Sequence, residues 1–320
     1  MITKDSFSIL ISKFSVVYQL ILAVLIALLI FGIIGYAILA PTLSGYMSDI
    51  KELEIGKTVK EYLSSIFGGG NSDDGIQQGM TVEYQNLVDL LKQAVEVTKA
   101  HLGAIWGGII AVVIILFLFS VYFYMCIYTV TDTLHAFMSS DSEYGFTSNF
   151  IANVSKSLKF SLAYVGICIL WVIIIAGISM GLGFLVGAWN NFFGLVIAYF
   201  TALLGLAIRR SLFAGWMPAY IVSDMTINES LVANFKMASK TFKDTLGMYF
   251  VIYLAGLLLA ITVGALTLGF GIFIVLGVSN VLSQAYDMVT YYHFCSKKYY
   301  RDSQNVVDPT QKYKDAIRRS

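Results

Sequence analysis

The fold of this chain is decided by the stretch from Ile227 to Tyr292, which reads INESLVANFKMASKTFKDTLGMYFVIYLAGLLLAITVGALTLGFGIFIVLGVSNVLSQAYDMVTYY. It opens with a basic amphipathic segment. Two apolar runs follow at 246–267 and 271–290, separated by a glycine-containing turn. Each run has the ~20 residues that an α-helix needs to cross ~30 Å of hydrocarbon. The stretch therefore predicts a surface helix, a membrane span and a returning span.

The composition extends this interpretation to the whole chain. Hydrophobic residues make up 58% of the 320 residues and charged residues 13%, whereas soluble domains average roughly 45–50% and 25%. This composition excludes an ordinary soluble protein and predicts a polytopic membrane protein. The net charge of +1 gives no reason to expect nucleic acid as a partner. The three cysteines all lie in or beside apolar runs, so no disulfide framework is implied.

Four more apolar runs without charge predict the remaining spans of a single six-span domain. They lie at 14–40, 103–130, 160–182 and 192–208. Lys4 and Lys13 precede the first run, so a cleaved signal peptide is the alternative there. The run is much longer than the ~7–15 apolar residues of a signal, which favours a retained membrane anchor.

The fourth run ends at Arg209 and Arg210. The segment 211–222 that follows is too short to cross a bilayer, and we interpret it as an interfacial helix end. A shifted fourth span that buries both arginines is the alternative.

The segment 41–102 is the only long polar part of the chain before the tail. Apolar residues recur at helical spacing over 47–66 and 82–102, which predicts two amphipathic helices. The sequence GGGNSDDG, Gly68 to Gly75, predicts a flexible turn between them. We therefore expect an extracytoplasmic helical hairpin here, and a polar, basic cytoplasmic tail at 296–320.

The positions of the basic residues predict the orientation of the spans. With the N-terminus cytoplasmic, all Lys and Arg residues outside the 41–102 insertion fall on the cytoplasmic side, and the short turns on the other side carry none. Short loops have the greatest weight in the positive-inside rule. Six spans with both termini cytoplasmic are therefore expected.

An internal repeat relates parts of the chain. FIANVSKSLKF (150–160) and LVANFKMASKTF (231–242) place Asn153 and Asn234 in the same frame, and each segment precedes a span, a turn and a returning span. A weaker third copy is SFSILISKFSVVYQL (6–20). All three enter the membrane in the same direction, so we predict three parallel hairpin repeats with inner-leaflet amphipathic helices. Chance similarity between amphipathic helices is the alternative.

The amphipathic character is clearest in the last copy. One apolar stripe is formed by Ile227, Leu231, Phe235, Ala238 and Phe242. The opposite flank carries Lys236, Lys240 and Lys243. Such a helix is expected to lie in the inner headgroup plane, where each lysine contributes about 1 kcal/mol beside an anionic leaflet. The lysines predict contact with anionic lipid headgroups, and a helix that only orients the next span is the alternative.

A family resemblance rests on the same region. PAYIVSDMTINESLVANFKMASKTFKDTLGMYF (218–250), the hairpin after it and AYDMVTYYHF (285–294) resemble a loose group of uncharacterised prokaryotic polytopic membrane proteins. That group is related to the membrane domain fused to some glycerophosphodiester phosphodiesterases. The residues that match its pattern are Pro218, Asp224, Ser239, Ala285 and Tyr286. The likeness covers about 155–300 and implies a six-span fold of uncharacterised role. No phosphodiesterase domain is present, and the 41–102 insertion departs from the group.

Small residues predict where the spans pack. Gly177 and Gly181 in the third span, and Gly256, Ala260 and Gly264 in the fifth, have the small-xxx-small spacing that lets helix backbones approach closely. The three histidines do not converge, and neither HExxH nor a Cys/His ligand spacing occurs. We therefore expect no metal, no cofactor and no catalytic residue.

Ionic and polar residues near the inner ends of the spans are the candidate site. They are Asp132, Arg209, Arg210, Asn280, Gln284 and Asp287. A lone charge within a span costs roughly 2.5–3.5 kcal/mol, which favours pairing. A salt-bridge clasp is the structural interpretation, and a proton- or substrate-coupled site is the alternative.

Together these patterns predict a multi-pass protein of a prokaryotic cytoplasmic membrane with a non-enzymatic role. We expect it to organise the lipid bilayer or to bind a partner membrane protein. A small transporter or export accessory with a polar cavity near Asn280 and Asp287 is the alternative, and an intramembrane enzyme is third.

Overall fold

The computed structural model describes residues 2–60, 73–140, 145–302 and 304–309, with the backbone alone for 73–83. The helices are α1 (Ile2–Ser12), α2 (Ser15–Glu52), α3 (Asp73–Ala100), α4 (Leu102–Ser140), α5 (Phe146–Ala152), α6 (Val154–Gly187), α7 (Asn191–Phe213), α8 (Trp216–Val222), α9 (Ile227–Leu266) and α10 (Gly271–Phe294). Two strands follow, β1 (Tyr299–Asp302) and β2 (Asn305–Val307). Within the described residues, six helical segments are long and apolar enough to cross a membrane. The chain is therefore a multi-pass membrane protein, as its composition predicts.

The chain divides into two compact units, which α2 and α4 both enter. One unit comprises Met1–Ala27 with Ser120–Ser320, and the other comprises Leu28–Phe119.

The smaller unit is held together by contacts between α2 and α4 and at the start of α4. Phe31 and Phe119 meet edge to face with ring centroids 5.8 Å apart. His101, between α3 and α4, places its Nε2 2.8 Å from the carboxylate of Asp49. The predicted glycine-rich turn falls largely outside the described residues, because 68–72 are not among them and α3 already begins at Asp73.

In the larger unit α6 packs along α7, and α9 packs against both α7 and α10. From Val281 to Tyr292 every residue of α10 is buried, so this half of α10 is the centre of the core. The tips of the helical hairpins, by contrast, are highly exposed. Trp189 and Leu268 are 93% and 92% exposed. An exposed apolar surface of this kind is expected where lipid is the solvent.

The close approach of α6 and α7 depends on glycines other than those predicted. A Cβ added at Gly194 would lie 2.6 Å from the carbonyl oxygen of Gly183, so no larger residue fits without a shift of the backbone. Gly177 and Gly181 face open space, and the predicted packing at these two positions is wrong. Small-xxx-small spacing identifies helix faces that carry small residues. It does not say which of two overlapping faces of α6 packs against α7.

In the second hairpin the predicted small residues do lie at the helix–helix contact. A Cβ at Gly264 would lie 2.8 Å from the side chain of Ile272, and one at Gly256 would lie 3.2 Å from the hydroxyl of Ser279. The turn between α9 and α10 is made by Gly269, whose φ of +94° suits glycine.

The basic amphipathic segment is not a separate surface helix, because α9 continues through it into the fifth span without a break. Thr226 begins α9 with a capping box that includes Glu229, and neither Gly nor Pro interrupts 227–246. The buried face of the segment consists of Ser230, Asn234, Met237, Ala238 and Thr245. The predicted stripe is therefore displaced, and its member Phe235 is 48% exposed.

The other two amphipathic segments also differ from the prediction. The segment 150–160 is divided at Asn153, and its second part is the first turns of α6. The N-terminal segment is divided as well, between α1 and α2. α1 packs against α10 and β1, with Asp5, Ser6, Ile9 and Leu10 buried.

The tail begins with a β-hairpin, which the predicted all-α fold and the predicted polar, basic tail at 296–320 did not include. β1 and β2 are antiparallel, with Tyr299 opposite Val307. Tyrosine and valine favour strands. At the turn, Asp302 Oδ1 accepts hydrogen bonds from the backbone of Gln304 at 3.0 Å and from the Asn305 amide at 2.8 Å. Tyr299 is buried and packs beside Tyr292 of α10.

Candidate functional site

An ion pair joins α7 to α10 inside the larger unit. The Arg210 guanidinium donates to Asp287 Oδ2, and the two residues are only 8% and 2% exposed. Arg210 lies near the end of α7 and Asp287 near the end of α10, so two helices that run in the same direction present opposite charges at one level. A lone charge at this depth costs several kcal/mol, and pairing offsets much of that cost.

A third helix completes the pair. The buried Tyr249 of α9 donates its hydroxyl to Asp287 Oδ1, the carboxylate oxygen that Arg210 leaves free. The Arg210 guanidinium carbon also lies 5.7 Å from the centroid of the Tyr249 ring. Both carboxylate oxygens are therefore used. We call Arg210, Asp287 and Tyr249 the clasp, because together they hold α7, α9 and α10.

Gln284, one turn before Asp287 on α10, links the clasp to α4. In the amide orientation that satisfies both of its neighbours, the Gln284 oxygen accepts from the two terminal nitrogens of Arg210 at 2.6 and 3.2 Å. The amide nitrogen then donates to Thr131 Oγ1 at 3.0 Å. The network joins four helices. It pairs polar groups that would be costly to bury without partners in a low-dielectric interior.

Asp132 does not join the clasp. Its Oδ2 accepts from the Asn153 amide at 3.0 Å, and Asn153 is bonded in turn to Asn149 at 2.7 Å. The Asn149 amide donates to Thr133 Oγ1 at 3.1 Å. Asp132 therefore fixes the junction between α5 and α6 to α4, a role separate from the site.

Arg209, next to Arg210 on α7, takes a different environment. Its main titratable neighbours are Tyr124, Tyr164, Cys168 and Tyr253, and it forms no salt bridge with a carboxylate of the described residues. Its Nε is buried and has no hydrogen-bond partner in the part of the chain that the structure describes. The two arginines and Asp287 together leave one positive charge unbalanced in this region.

A cavity of about 240 Å³ lies between α7, α9 and α10, next to the clasp. Its polar lining consists of Arg210, Tyr253, Ser279, Asn280 and Ser283, and the remaining lining residues are apolar or small. This cavity reaches Asn280, but most of its lining is apolar, unlike the polar cavity that was predicted near Asn280 and Asp287. Asp287 does not line it, because Arg210 and Tyr249 enclose the carboxylate.

The lysines of α9 lie on its exposed face. Lys236, Lys240 and Lys243 are all exposed, and Val232 and Phe235 are exposed with them. We call these five residues the basic ridge. Lys240 places its ammonium 5.6 Å from the ring centroid of Phe294, a cation–π contact that keeps this lysine near the end of α10.

Two tyrosines of the site were missed by sequence reasoning, because a Tyr within an apolar run resembles ordinary core. Tyr249 and Tyr253 are one helical turn apart, and Gly256 and Ala260 continue the same face. The small-residue face was visible in the sequence. Extending that face by one and two turns toward the start of α9 would have identified both tyrosines.

Fold and site define a multi-pass membrane protein with a clasped ion pair and a cavity within its helix bundle. The described residues contain no group of three His, Cys, Asp or Glu side chains that could hold a metal ion. Comparison with protein-family models, curated proteins and solved structures gave no significant match. The function is therefore argued from the site alone.

Proposed function

We propose that this protein is a non-enzymatic, membrane-organising protein of a prokaryotic cytoplasmic membrane that gathers anionic lipid headgroups at one membrane surface and there binds a partner protein. The basic ridge on α9 is the observation that carries the proposal. It combines three lysines with two exposed apolar side chains on one helix face. Basic residues beside apolar ones are the combination that recognises an anionic membrane surface.

The clasp supports this role because it holds the ridge at a fixed depth. Tyr249 lies on the same helix as the ridge, about two turns beyond Lys240 and Lys243, and bonds to Asp287. Rigid support from packed helices limits the entropy that headgroup binding costs. The charges of the clasp are used within the bundle, whereas those of the ridge are available to a ligand.

The orientation that we propose places both termini and the ridge on the cytoplasmic side. The packing of α1 against β1 supports a common side for the described ends of the larger unit. An even number of spans agrees with this arrangement. The positive-inside rule assigns that side to the cytoplasm.

We also propose that the hairpins α6–α7 and α9–α10 are related repeats, with α1–α2–α4 as a third, weaker copy. Both hairpins close through tight contacts at glycine. The two matching asparagines differ, however. Asn153 joins α5 to α6, whereas Asn234 lies within α9 and bonds to the backbone of Leu212 and Gly215. A relation to the membrane domain of glycerophosphodiester phosphodiesterases stays a proposal.

A small transporter or export accessory is the second candidate, and the cavity beside Asn280 is the observation that favours it. Transport requires the cavity to open to each side of the membrane in turn. An Asn280→Cys variant that reacts with a membrane-impermeant thiol reagent from both sides would support transport, and protection from both sides would contradict it.

Lipid binding tests the main proposal. The protein is purified and offered equal amounts of phosphatidylglycerol and phosphatidylcholine, and the bound lipids are counted by native mass spectrometry. The native chain is expected to retain phosphatidylglycerol preferentially. Replacing Lys236, Lys240 and Lys243 together by Gln should lower that preference by about tenfold or more, because each lysine contributes about 1 kcal/mol.

The matched control removes three exposed lysines of the smaller unit, Lys51→Gln, Lys92→Gln and Lys99→Gln. Both variants lose the same net charge, so only a site effect distinguishes them. The proposal would be contradicted if both variants lost the preference for phosphatidylglycerol equally, or if the native chain showed no such preference.

A further inference from the structure

We propose that the cavity between α7, α9 and α10 binds the carboxylate end of a free fatty acid, which enters sideways from the bilayer. This inference does not depend on the proposed function, because the basic ridge forms no part of the cavity. Four observations carry it: the direction of polarity, the polar groups at one end, the balance of charge, and the size and opening of the space.

Polarity changes in the same direction along all three helices that enclose the cavity. On α7 the lining runs from Leu203 to Arg210, and on α10 it runs from Val275 to Ser283. α9 runs the opposite way, and its lining runs from Ile252 and Tyr253 to Ala260. The cavity thus has one polar end and one apolar end, which is the arrangement that fits an amphiphile.

The polar end carries a buried cation. Arg210 is more than nine-tenths buried and lines the cavity, yet its Nε has no hydrogen-bond partner within the described residues. Arg210 therefore brings a positive charge to the polar end of the cavity, although its Nε itself is covered by protein.

Further donors converge on the same end. The hydroxyls of Tyr253 and Ser279 belong to the lining. The Asn280 amide donates one hydrogen to the carbonyl of Leu276 at 2.8 Å and keeps a second. Together with the Arg210 charge, these groups can donate to a carboxylate, which accepts through both oxygens.

The local charge selects an anion over a neutral acceptor. Asp287 pairs with Arg210, whereas Arg209 forms no salt bridge with any carboxylate of the described residues. Tyr253, which lines the cavity, is an electrostatic neighbour of both arginines. One added negative charge would bring this buried group to neutrality, and two would exceed it.

The dimensions favour a single chain. A volume of about 240 Å³ is below the roughly 300–1,000 Å³ of pockets that enclose a whole drug-sized ligand. It accepts one end of a molecule whose remainder lies in lipid. Leu276 of the lining is 51% exposed, which places the opening on the lipid-facing side of the bundle. A double-chain phospholipid head does not fit this space.

Direct binding of laurate tests the inference. The full chain is placed in nanodiscs of phosphatidylcholine, which offers the ridge no anionic lipid, and carboxyl-labelled laurate is titrated with empty nanodiscs as background. Saturable binding of one laurate per chain is expected. An Ala260→Leu variant, which fills the apolar end, should weaken it by about tenfold or more. Gly177→Leu adds the same side chain to a site facing open space and should leave it unchanged.

The charge argument has its own arm. Arg209→Gln should weaken laurate by about tenfold and leave dodecanol, the neutral chain of equal length, unaffected. Four outcomes would overturn the inference: no saturable laurate binding, equal loss in Ala260→Leu and Gly177→Leu, dodecanol that binds as tightly as laurate, and lauroyl lysophosphatidylglycerol that displaces laurate at equal concentration. The lysines of the basic ridge are intact in all these variants. A negative result for laurate therefore does not test the proposal that the ridge gathers anionic lipid headgroups.

Discussion

Tyr299 and Asp5 are 294 residues apart in the sequence, and the phenolic hydroxyl of Tyr299 donates a hydrogen bond to Asp5 Oδ2 at 2.9 Å. Both side chains are buried. The bond fixes the β-hairpin of the tail to α1, and α1 in turn packs against α10. The first and last described elements of the larger unit therefore support the same central helix.

We expect Tyr299→Phe to release the β-hairpin. The change leaves the buried Asp5 carboxylate without this donor, and a hydrogen bond to a charged group contributes about 1.5–3 kcal/mol. Hydrogen exchange of the amides in 299–307 should accelerate accordingly, while exchange in α10 changes little. Tyr300→Phe, one residue along the strand, is the control. Unchanged protection in Tyr299→Phe would mean that strand pairing alone holds the tail.

The same contact should fail in alkali. Burial raises the pKa of Tyr299 above its usual range, so the folded hairpin binds the phenolic proton more tightly than the free tail does. Its contribution is complete below the ordinary tyrosine pKa of ~10 and decreases as the pH rises from there toward the higher folded value. Limited proteolysis of the tail should therefore accelerate above pH ~10. Tyr299→Phe should remove this step, and a step that persists in the variant would assign it to another group.

The clasp predicts strong coupling between Arg210 and Asp287. Asp287→Asn leaves the Arg210 charge buried without compensation, and Arg210→Gln does the same to Asp287. Each is expected to cost about 3–5 kcal/mol of stability. The double variant should lose clearly less than the sum. Thermal unfolding in detergent measures all three.

A surface pair provides the control for that cycle. Lys92 and Asp89 lie 2.9 Å apart and are both exposed, so Lys92→Gln and Asp89→Asn should couple by no more than ~0.5 kcal/mol. Additive losses at Arg210 and Asp287, as at the surface pair, would show that these charges do not depend on each other.

The packing of the first hairpin predicts a contrast between two glycines. Gly194→Ala places a Cβ 2.6 Å from the backbone of Gly183, and overpacking of this kind costs about 1–3 kcal/mol. Gly177→Ala meets nothing within 4 Å and should be neutral or stabilising, because Ala is the better helix former by up to ~1 kcal/mol. Thermal unfolding of both variants decides it. An equal loss of stability in the two variants would indicate that Gly177 also packs against a neighbouring helix, as small-residue spacing predicts.

The proposed orientation predicts which side of the membrane each end of a hairpin faces. Ser239 beside the basic ridge and Asn191 at a hairpin tip are both exposed. In cells whose outer surface is accessible, Asn191→Cys should react with a membrane-impermeant maleimide, and Ser239→Cys should react only after lysis. The reverse pattern would invert the protein. Reaction of both in intact cells would exclude the arrangement altogether.

The sequence was sufficient for features that depend on composition and on the cost of charge. Six helical segments follow from uncharged apolar runs, because hydrocarbon tolerates little else. That charges at the inner span ends should pair follows from the cost of a lone charge in a span, although the sequence did not decide which of Asp132, Arg209, Arg210 and Asp287 would meet. An apolar run can be recognised from a short piece of sequence, and the cost of a charge in a span depends mainly on that span.

Other features depend on how helices are rotated about their axes, and a single sequence constrains rotation weakly. The phase of the buried face of α9 decided that Asn234 and Met237 are buried and Phe235 is half exposed. The choice of Gly194 over Gly177 is of the same kind. The tail hairpin was missed for another reason, since its strands are short and its stability comes from a contact with Asp5, far away in the sequence.

The continuity of α9 has a mechanical consequence. Its 40 residues span about 60 Å at 1.5 Å per residue, and one rod carries Lys236 near its beginning, Tyr249 at the clasp and Ala260 at the wall of the cavity. Because no break separates Lys236 from Ala260, the lysine-bearing surface and the wall of the cavity belong to the same helix. A rotation or shift of this helix would change both at once.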